Sequence, residues 1–180
     1  MGNEKEILSD SDIDRLLKRI CSEILEAHKD LEDLVFIGIQ TRGVFLAKRL
    51  QAEILRLKQI EIPRGSIDIT LYRDDWTRID INPVVQDTRI NFSVDGKQII
   101  LIDDVLFTGR TIRAAMDALM DFGRPDRIEL FVLVDRKHRE LPIQANYIGL
   151  TVATRYTDSV NVLLREHDGS DRVLLLEGDA

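Results

Sequence analysis

The sequence is poor in the residues that define several protein classes. It has one cysteine, Cys21, so no disulfide can close within the chain and a disulfide-stapled secreted framework is excluded. Cys21 falls on the apolar side of a predicted helix, where a small buried side chain is expected. His138 has no second histidine or cysteine near it in sequence, so a zinc-type site is not expected there. His28 and His167 read as surface or helix-end residues. No apolar run approaches membrane-spanning length. The opening MGNEKEILSD lacks the apolar core of a signal peptide, and Glu6 stands where a myristoylation motif needs a hydroxyl residue. A cytoplasmic protein is the expectation. Basic residues are also in deficit. The net charge is −7 and the sequence pI about 5.0, so no global field attracts nucleic acid, and any RNA binding must use a local patch. There is no repeat, low-complexity tract or linker, and residues 1–180 are expected to form a single domain.

What is present is ordinary for a globular chain: 44% hydrophobic and 32% charged residues. Helical spacing of Ile13, Leu16, Leu17, Ile20, Cys21, Ile24 and Leu25 predicts a helix over Asp12–His28, capped by Ser9 or Ser11. Leu34–Ile39 (LVFIGI) reads as a buried parallel strand, followed by a helix from about Val44 to Leu57. Ile67–Tyr72 (IDITLY) alternates and predicts a strand with one exposed face, and Arg73–Val94 is a long polar loop. Gln98–Asp103 is a further apolar strand, and a helix is predicted from about Arg110 to Phe122, stopped by Gly123 and Pro125. Strands follow at Ile128–Val134, Tyr147–Val152, Val160–Arg165 and Arg172–Glu177, the last two around a hairpin turn at His167–Ser170. The order predicts an α/β fold: an open, mostly parallel sheet flanked by helices, with added antiparallel strands.

In such sheets ligands bind beyond the carboxyl ends of the strands. The chain leaving the strand at Gln98–Asp103 reads Asp103-Asp104-Val105-Leu106-Phe107-Thr108-Gly109-Arg110-Thr111. Two adjacent carboxylates there can accept from vicinal hydroxyls or hold a hydrated metal. Gly109 allows close backbone approach, Thr108 and Thr111 bring hydroxyls, and the free amides of a helix N-terminus favour phosphate. One loop can therefore hold a ribose diol at one end and a phosphate at the other. The plain alternative is a strand–turn–helix with acids at the turn and threonine as a cap. A Walker loop is excluded, because GxxxxGK[ST] does not occur.

Apolar strand, Asp-Asp, then Thr-Gly-Arg-Thr resembles the phosphoribosyl pyrophosphate signature of the type I phosphoribosyltransferases. Thr41–Leu50, Ile67–Asp75, Asp103–Thr111 and Val134–Ile143 together are similar to the branch that joins uracil phosphoribosyltransferase activity to regulation of pyrimidine operons. The resemblance implies the type I fold, a parallel sheet core with a small hood and a mobile flap. It implies that Asp103 and Asp104 contact the ribose hydroxyls, directly or through Mg²⁺ and water, that Thr108–Thr111 bind the ribose 5′-phosphate, and that Val105, Leu106 and Phe107 belong to the same substrate-binding stretch. It makes Thr41-Arg42-Gly43 the pyrophosphate loop, with unusual backbone geometry and the charge of Arg42, and Arg73, Asp74 and Asp75 the start of the flap. It points to Arg136 and the backbone near Val160 for the base. Hypoxanthine-guanine relatives commonly carry an aspartate in the slot of Phe107; an aromatic there accepts no proton, which favours a pyrimidine.

The implied substrates are phosphoribosyl pyrophosphate and uracil, the nucleotide ligands UMP and UTP, and the assembly a homodimer or higher. The branch can also bind the leader of pyrimidine-operon mRNA. Candidate phosphate contacts are Arg15, Lys18 and Arg19 on the first helix, and Lys137, His138 and Arg139 after the Ile128–Val134 strand. Against these stand Lys137, where the family usually has glycine, and the stretch Gln144–Tyr156, in which only Arg155 is basic.

Overall fold

A computed structural model describes residues 4–70, 72 and 88–178. The elements run β1 (Glu4–Leu8), α1 (Asp10–Ala27), β2 (Leu34–Ile39), α2 (Arg42–Lys58), β3 (Arg64–Ile67), β4 (Gln98–Leu106), α3 (Arg110–Met120), β5 (Arg127–Asp135), β6 (Tyr147–Thr151), β7 (Ser159–Leu163), α4 (Arg165–Asp168) and β8 (Arg172–Leu176). Strands β3-β2-β4-β5-β6 form one sheet in that order, with every neighbouring pair parallel. Strands β1-β8-β7 form a small antiparallel sheet, the hood. The expected mostly parallel α/β architecture with added antiparallel strands is the one found.

The sheet is apolar on both faces because both are covered. Phe36, Ile100, Ile102, Phe131 and Leu133 pack with α1 and α2, while Val35, Ile37, Ile99, Leu101, Leu130 and Val132 pack with α3. Period-2 alternation within continuous apolar runs sorts them to the two sides. Leu8, Val162, Leu164 and Val173 of the hood join the α1–α2 cluster. Helix α1 starts at a capping box: Ser9 Oγ accepts from Asp12 N–H, and the Asp12 carboxylate accepts from Ser9 N–H at 2.9 Å.

Several expectations need correction. The strand expected at Ile67–Tyr72 lies earlier, at Arg64–Ile67, where it pairs with Phe36–Ile39. The chain turns away after Ile67 because the Asp68 carboxylate accepts from Thr70 N–H at 2.8 Å and from its hydroxyl at 2.6 Å, a local bond that competes with the sheet ladder. Strand β1 was not expected, since EKEIL is short and half charged and becomes a strand only by pairing with β8. The hairpin of β7 and β8 is present, but its connection includes the helical turn α4, closed by Gly169 at φ 78°. His28 does end α1, yet it is buried rather than exposed: Nε2 meets Glu129 at 2.6 Å and Nδ1 meets Gln98 at 3.0 Å. The flap residues Arg73, Asp74 and Asp75 lie outside the described residues.

Candidate active site

The parallel register brings the carboxyl ends of β2, β4 and β5 side by side, with Gly38 opposite Ile102 and Leu106 opposite Asp135. Three segments therefore meet at one edge: Gln40–Gly43, Asp103–Thr111 and Arg136–Glu140. Strand β4 runs three residues past the end expected at Asp103, so both acids lie within the strand and only Phe107–Gly109 form the connection to α3. The first two touch at the backbone. A Cβ on Gly43 would fall 2.2 Å from the carbonyl oxygen of Ile102, so only glycine lets α2 begin this close to β4. The peptide bond before Thr41 is cis.

At the end of β4, Asp103 is buried and Asp104 half-buried. Burial first, and then the adjacent charge of Asp104, pushes the Asp103 carboxyl well above the usual range. Burial raises Asp104 as well, opposed by the positive charge of Arg42 and by Val105 N–H, which donates to Asp104 Oδ1 at 2.8 Å. Asp104 N–H donates to Asp103 Oδ1 at 3.0 Å. The pair is thus costly to keep charged without a cationic or hydrogen-bonding partner.

Past the acids the chain turns through Gly109, at φ 93°, into α3. Only glycine takes that left-handed conformation at no steric cost. Gly109 brings no side chain to cap α3, the Thr108 hydroxyl accepts from the Arg110 amide at 3.4 Å, and a cavity of about 340 Å³ opens here, lined by Val105–Ile112, Glu140 and Tyr156. The amides at the start of α3 supply partial positive charge to it. Arg110 pairs with Glu140 at 2.6 Å, and Glu140 accepts from the Tyr156 hydroxyl at 2.7 Å.

Phe107 is enclosed. The Arg136 guanidinium lies 3.9 Å from the centre of its ring, and Tyr156 and His138 sit at 5.1 and 5.6 Å between centroids. Arg136 is buried, donates to Thr154 Oγ1 and to the carbonyls of Arg155 and Asp158, and so stands beside the chain that leads to Val160. Burial holds its guanidinium below the usual arginine value. The residues expected around ribose, phosphate and base are thereby brought together, apart from the flap.

Arg42 and the RNA candidates are tied differently from expectation. Arg42 opens α2 but grips Asp168 of α4 through Nε at 3.1 Å and Nη2 at 2.8 Å. Arg139 places all three guanidinium nitrogens on protein acceptors: Asp135 at 2.7 Å, the Phe107 carbonyl at 3.0 Å and the Ile143 carbonyl at 2.8 Å. It braces the Phe107 loop instead of facing outward. His138 Nε2 donates to the Thr154 carbonyl at 2.7 Å. Arg19 pairs with Glu23 and donates to the carbonyls of Ile148 and Gly149. Lys18 is exposed and paired with Asp14 at 2.6 Å, and Arg15 pairs with Asp12. Lys137 is exposed at φ 63°, a conformation that explains why glycine suits that position. Sequence reasoning missed Asp168, Glu140 and Tyr156. Glu140 was visible within the charged run RKHRE, whereas nothing local marks Asp168, which lies 126 residues from Arg42.

The parallel sheet and the Asp-Asp strand end feeding an open helix N-terminus define a phosphoribosyl-transfer class of protein, and the phosphoribosyl transferase domain model matches residues 3–162. A protein of Desulfosudis oleivorans named bifunctional protein PyrR is 55% identical over 97% of both chains. One of the same name from Chloroflexus aurantiacus is 52% identical over 100% of this chain and 99% of its own. The fold is also that of the hypoxanthine phosphoribosyltransferase of Trypanosoma cruzi (TM-score 0.71, 16% identity, 97% of each chain) and of one from Staphylococcus aureus (TM-score 0.69, 18% identity, 97% and 92%). The chain belongs to the phosphoribosyl transferase family and, within it, to the PyrR proteins.

Proposed function

We propose that the chain is a uracil phosphoribosyltransferase, converting uracil and phosphoribosyl pyrophosphate to UMP and pyrophosphate, and that it also acts as a uridine-nucleotide-dependent regulator of pyrimidine-operon mRNA. One observation carries the first half: the Asp103–Asp104 pair and the open N-terminus of α3 lie on one segment, beside the Thr41–Gly43 loop. The carboxylates suit the ribose hydroxyls, the α3 amides and Thr108–Thr111 suit the 5′-phosphate, and Thr41–Gly43 suits the leaving group. Reaction consists of uracil N1 displacing pyrophosphate at C1′ as positive charge builds on the ribose. The protein's share is to position the partners and to meet the departing charge. Phe107, packed against Arg136, His138 and Tyr156, leaves no proton acceptor in its slot, which supports a pyrimidine acceptor.

Mg²⁺ fits this donor set. Among the described residues no group of three or more His, Cys, Asp or Glu side chains could enclose a metal, and Mg²⁺ characteristically keeps its waters and takes only one or two carboxylates beside substrate phosphates. Asp103 and Asp104 would hold it. When bound it supplies charge neutralisation to the pyrophosphate.

Incubation with uracil, phosphoribosyl pyrophosphate and Mg²⁺ tests the enzyme reading. UMP should form, and Asp104→Asn should lower kcat/KM by about 100-fold or more. Absence of UMP with the unaltered protein would sink the reading. Gel shift against the upstream leader RNA, with and without UMP, tests the regulator. No binding, or binding indifferent to UMP, counts against it. The name of the relatives, bifunctional, favours the second activity. The structural ties of Arg19 and Arg139 narrow where an RNA phosphate could be met. Among the described residues no helix is long and apolar enough to cross a membrane, and the buried free Cys21 suits a reducing cytoplasm. One domain working as a homodimer or higher homo-oligomer completes the reading, and sedimentation at micromolar concentration tests the assembly.

A further inference from the structure

We infer that Asp168, in the hood, is a positioning residue for phosphoribosyl transfer: it fixes the Arg42 guanidinium so that its remaining edge faces the departing pyrophosphate. The inference rests on the transferase reading above. Arg42 presents Nε and Nη2 to the two oxygens of Asp168, at 3.1 and 2.8 Å, in the bidentate fork that fixes a guanidinium in its plane. That leaves the Nη1 edge for a ligand, and the Arg42 side chain is 31% exposed whereas that of Asp168 is only 13% exposed.

Asp168 is itself immobilised. Its Oδ2 accepts from Leu164 N–H at 2.8 Å, and its Oδ1 lies 3.1 Å from His167 Nδ1. The turn that carries it is stapled to the same helix that starts at Arg42. Arg49, two helical turns on and on the same face, pairs with Glu166 and Asp171. Asp168 is thus an anchored acceptor and not a loose stand-in for an anion that a substrate must expel. Arg42 also lies within electrostatic reach of the Asp104 carboxylate, next to the acids that suit the ribose hydroxyls. Without Asp168 the side chain keeps its charge but loses its plane, and a leaving group gains from a guanidinium only when it is already oriented.

The test compares Asp168→Asn, Asp168→Glu, Arg42→Gln, the double variant Arg42→Gln/Asp168→Asn, and Glu166→Gln, which cuts the staple without touching Arg42. Steady-state kinetics and calorimetric binding of inorganic pyrophosphate are read for each. Asp168→Asn should raise the KM for phosphoribosyl pyrophosphate and weaken pyrophosphate binding about 10-fold, with the KM for uracil within about twofold. Asp168→Glu should recover part of the loss. In the Arg42→Gln background Asp168→Asn should cost nothing further. The inference is overturned if Asp168→Asn leaves pyrophosphate binding unchanged, if Glu166→Gln reproduces its losses, or if the two effects simply add in the double variant. If Asp168→Asn fails to fold, the Asp168→Glu and Arg42→Gln/Asp168→Glu pair decides by the same additivity. Lack of turnover in the unaltered protein would instead sink the transferase reading, whatever the Asp168 variants do to pyrophosphate binding.

Discussion

At the scale of single residues, the hood is held by carboxylates that must stay ionised. Burial raises the Asp171 carboxyl, but hydrogen bonds from the Arg49 guanidinium and from the backbone and side chain of Arg165 outweigh it and bring it down to about 2. Asp168 is depressed in the same sense, chiefly by Arg42. A carboxyl whose folded value lies below its unfolded one stabilises the fold fully above the unfolded value, near 4, and that contribution is lost as pH falls through the folded value. For Asp171 this amounts to about 2 kcal/mol. The denaturant midpoint should therefore drop between pH about 4 and 2, and drop less steeply in Asp171→Asn. An identical slope in the variant would show that Asp171 contributes nothing to acid sensitivity. These residues also mark where reading the sequence stopped. Asp103–Thr111 was legible because residue types suited to ribose and phosphate follow one another in one contiguous segment. The Arg42–Asp168 and Arg49–Asp171 pairs span more than a hundred residues, and their partners meet only through the tertiary fold.

At the scale of elements, the helices and buried strands were legible from periodicity, and the failures have two causes. Arg64–Ile67 and Glu4–Leu8 carry little pattern of their own and become strands because a neighbour offers a ladder. IDITLY carries strand pattern, but Asp68 diverts it. The junction of α1 with the sheet shows a further effect that periodicity cannot report. His28 closes α1 and bonds Glu129 of β5 and Gln98 of β4, and Tyr147 of β6 donates to the same Glu129 at 3.1 Å. This buried network ties the helix to three strands at the end of the sheet opposite the site. His28→Ala leaves the Glu129 carboxylate short of a buried donor and should cost about 2–3 kcal/mol, read as the denaturant midpoint at constant slope. A loss under about 0.5 kcal/mol, the scale of a neutral surface substitution, would show the network idle.

At the scale of the whole molecule, the sheet supplies a fixed edge and the hood closes against it through α2. Leu8, Val162, Leu164 and Val173 share the cluster of α1 and α2, so the hood is continuous with the principal core. Charge is arranged locally within a chain of net charge −7: Arg42, Arg49, Arg139 and Arg165 all pair with internal carboxylates, and Arg42 does so beside the Asp103–Thr111 segment. With a net negative chain, an anionic substrate of the proposed reaction would have to be met by local groups rather than by the field of the whole protein.

The contact of Gly43 with the Ile102 carbonyl has a metrological consequence. The loop suited to pyrophosphate and the strand end suited to ribose share a backbone seam with no room even for a methyl group, and the phosphate turn continues from that same strand end. Together they form a caliper whose gap is set by the sheet register, not by the ligand. A ribose phosphate analogue lengthened by one methylene before its 5′-phosphate should therefore bind at least about 10-fold more weakly, measured by competition against phosphoribosyl pyrophosphate. Equal competition would mean that the caliper opens, and that its gauge lies in the substrate rather than in the protein.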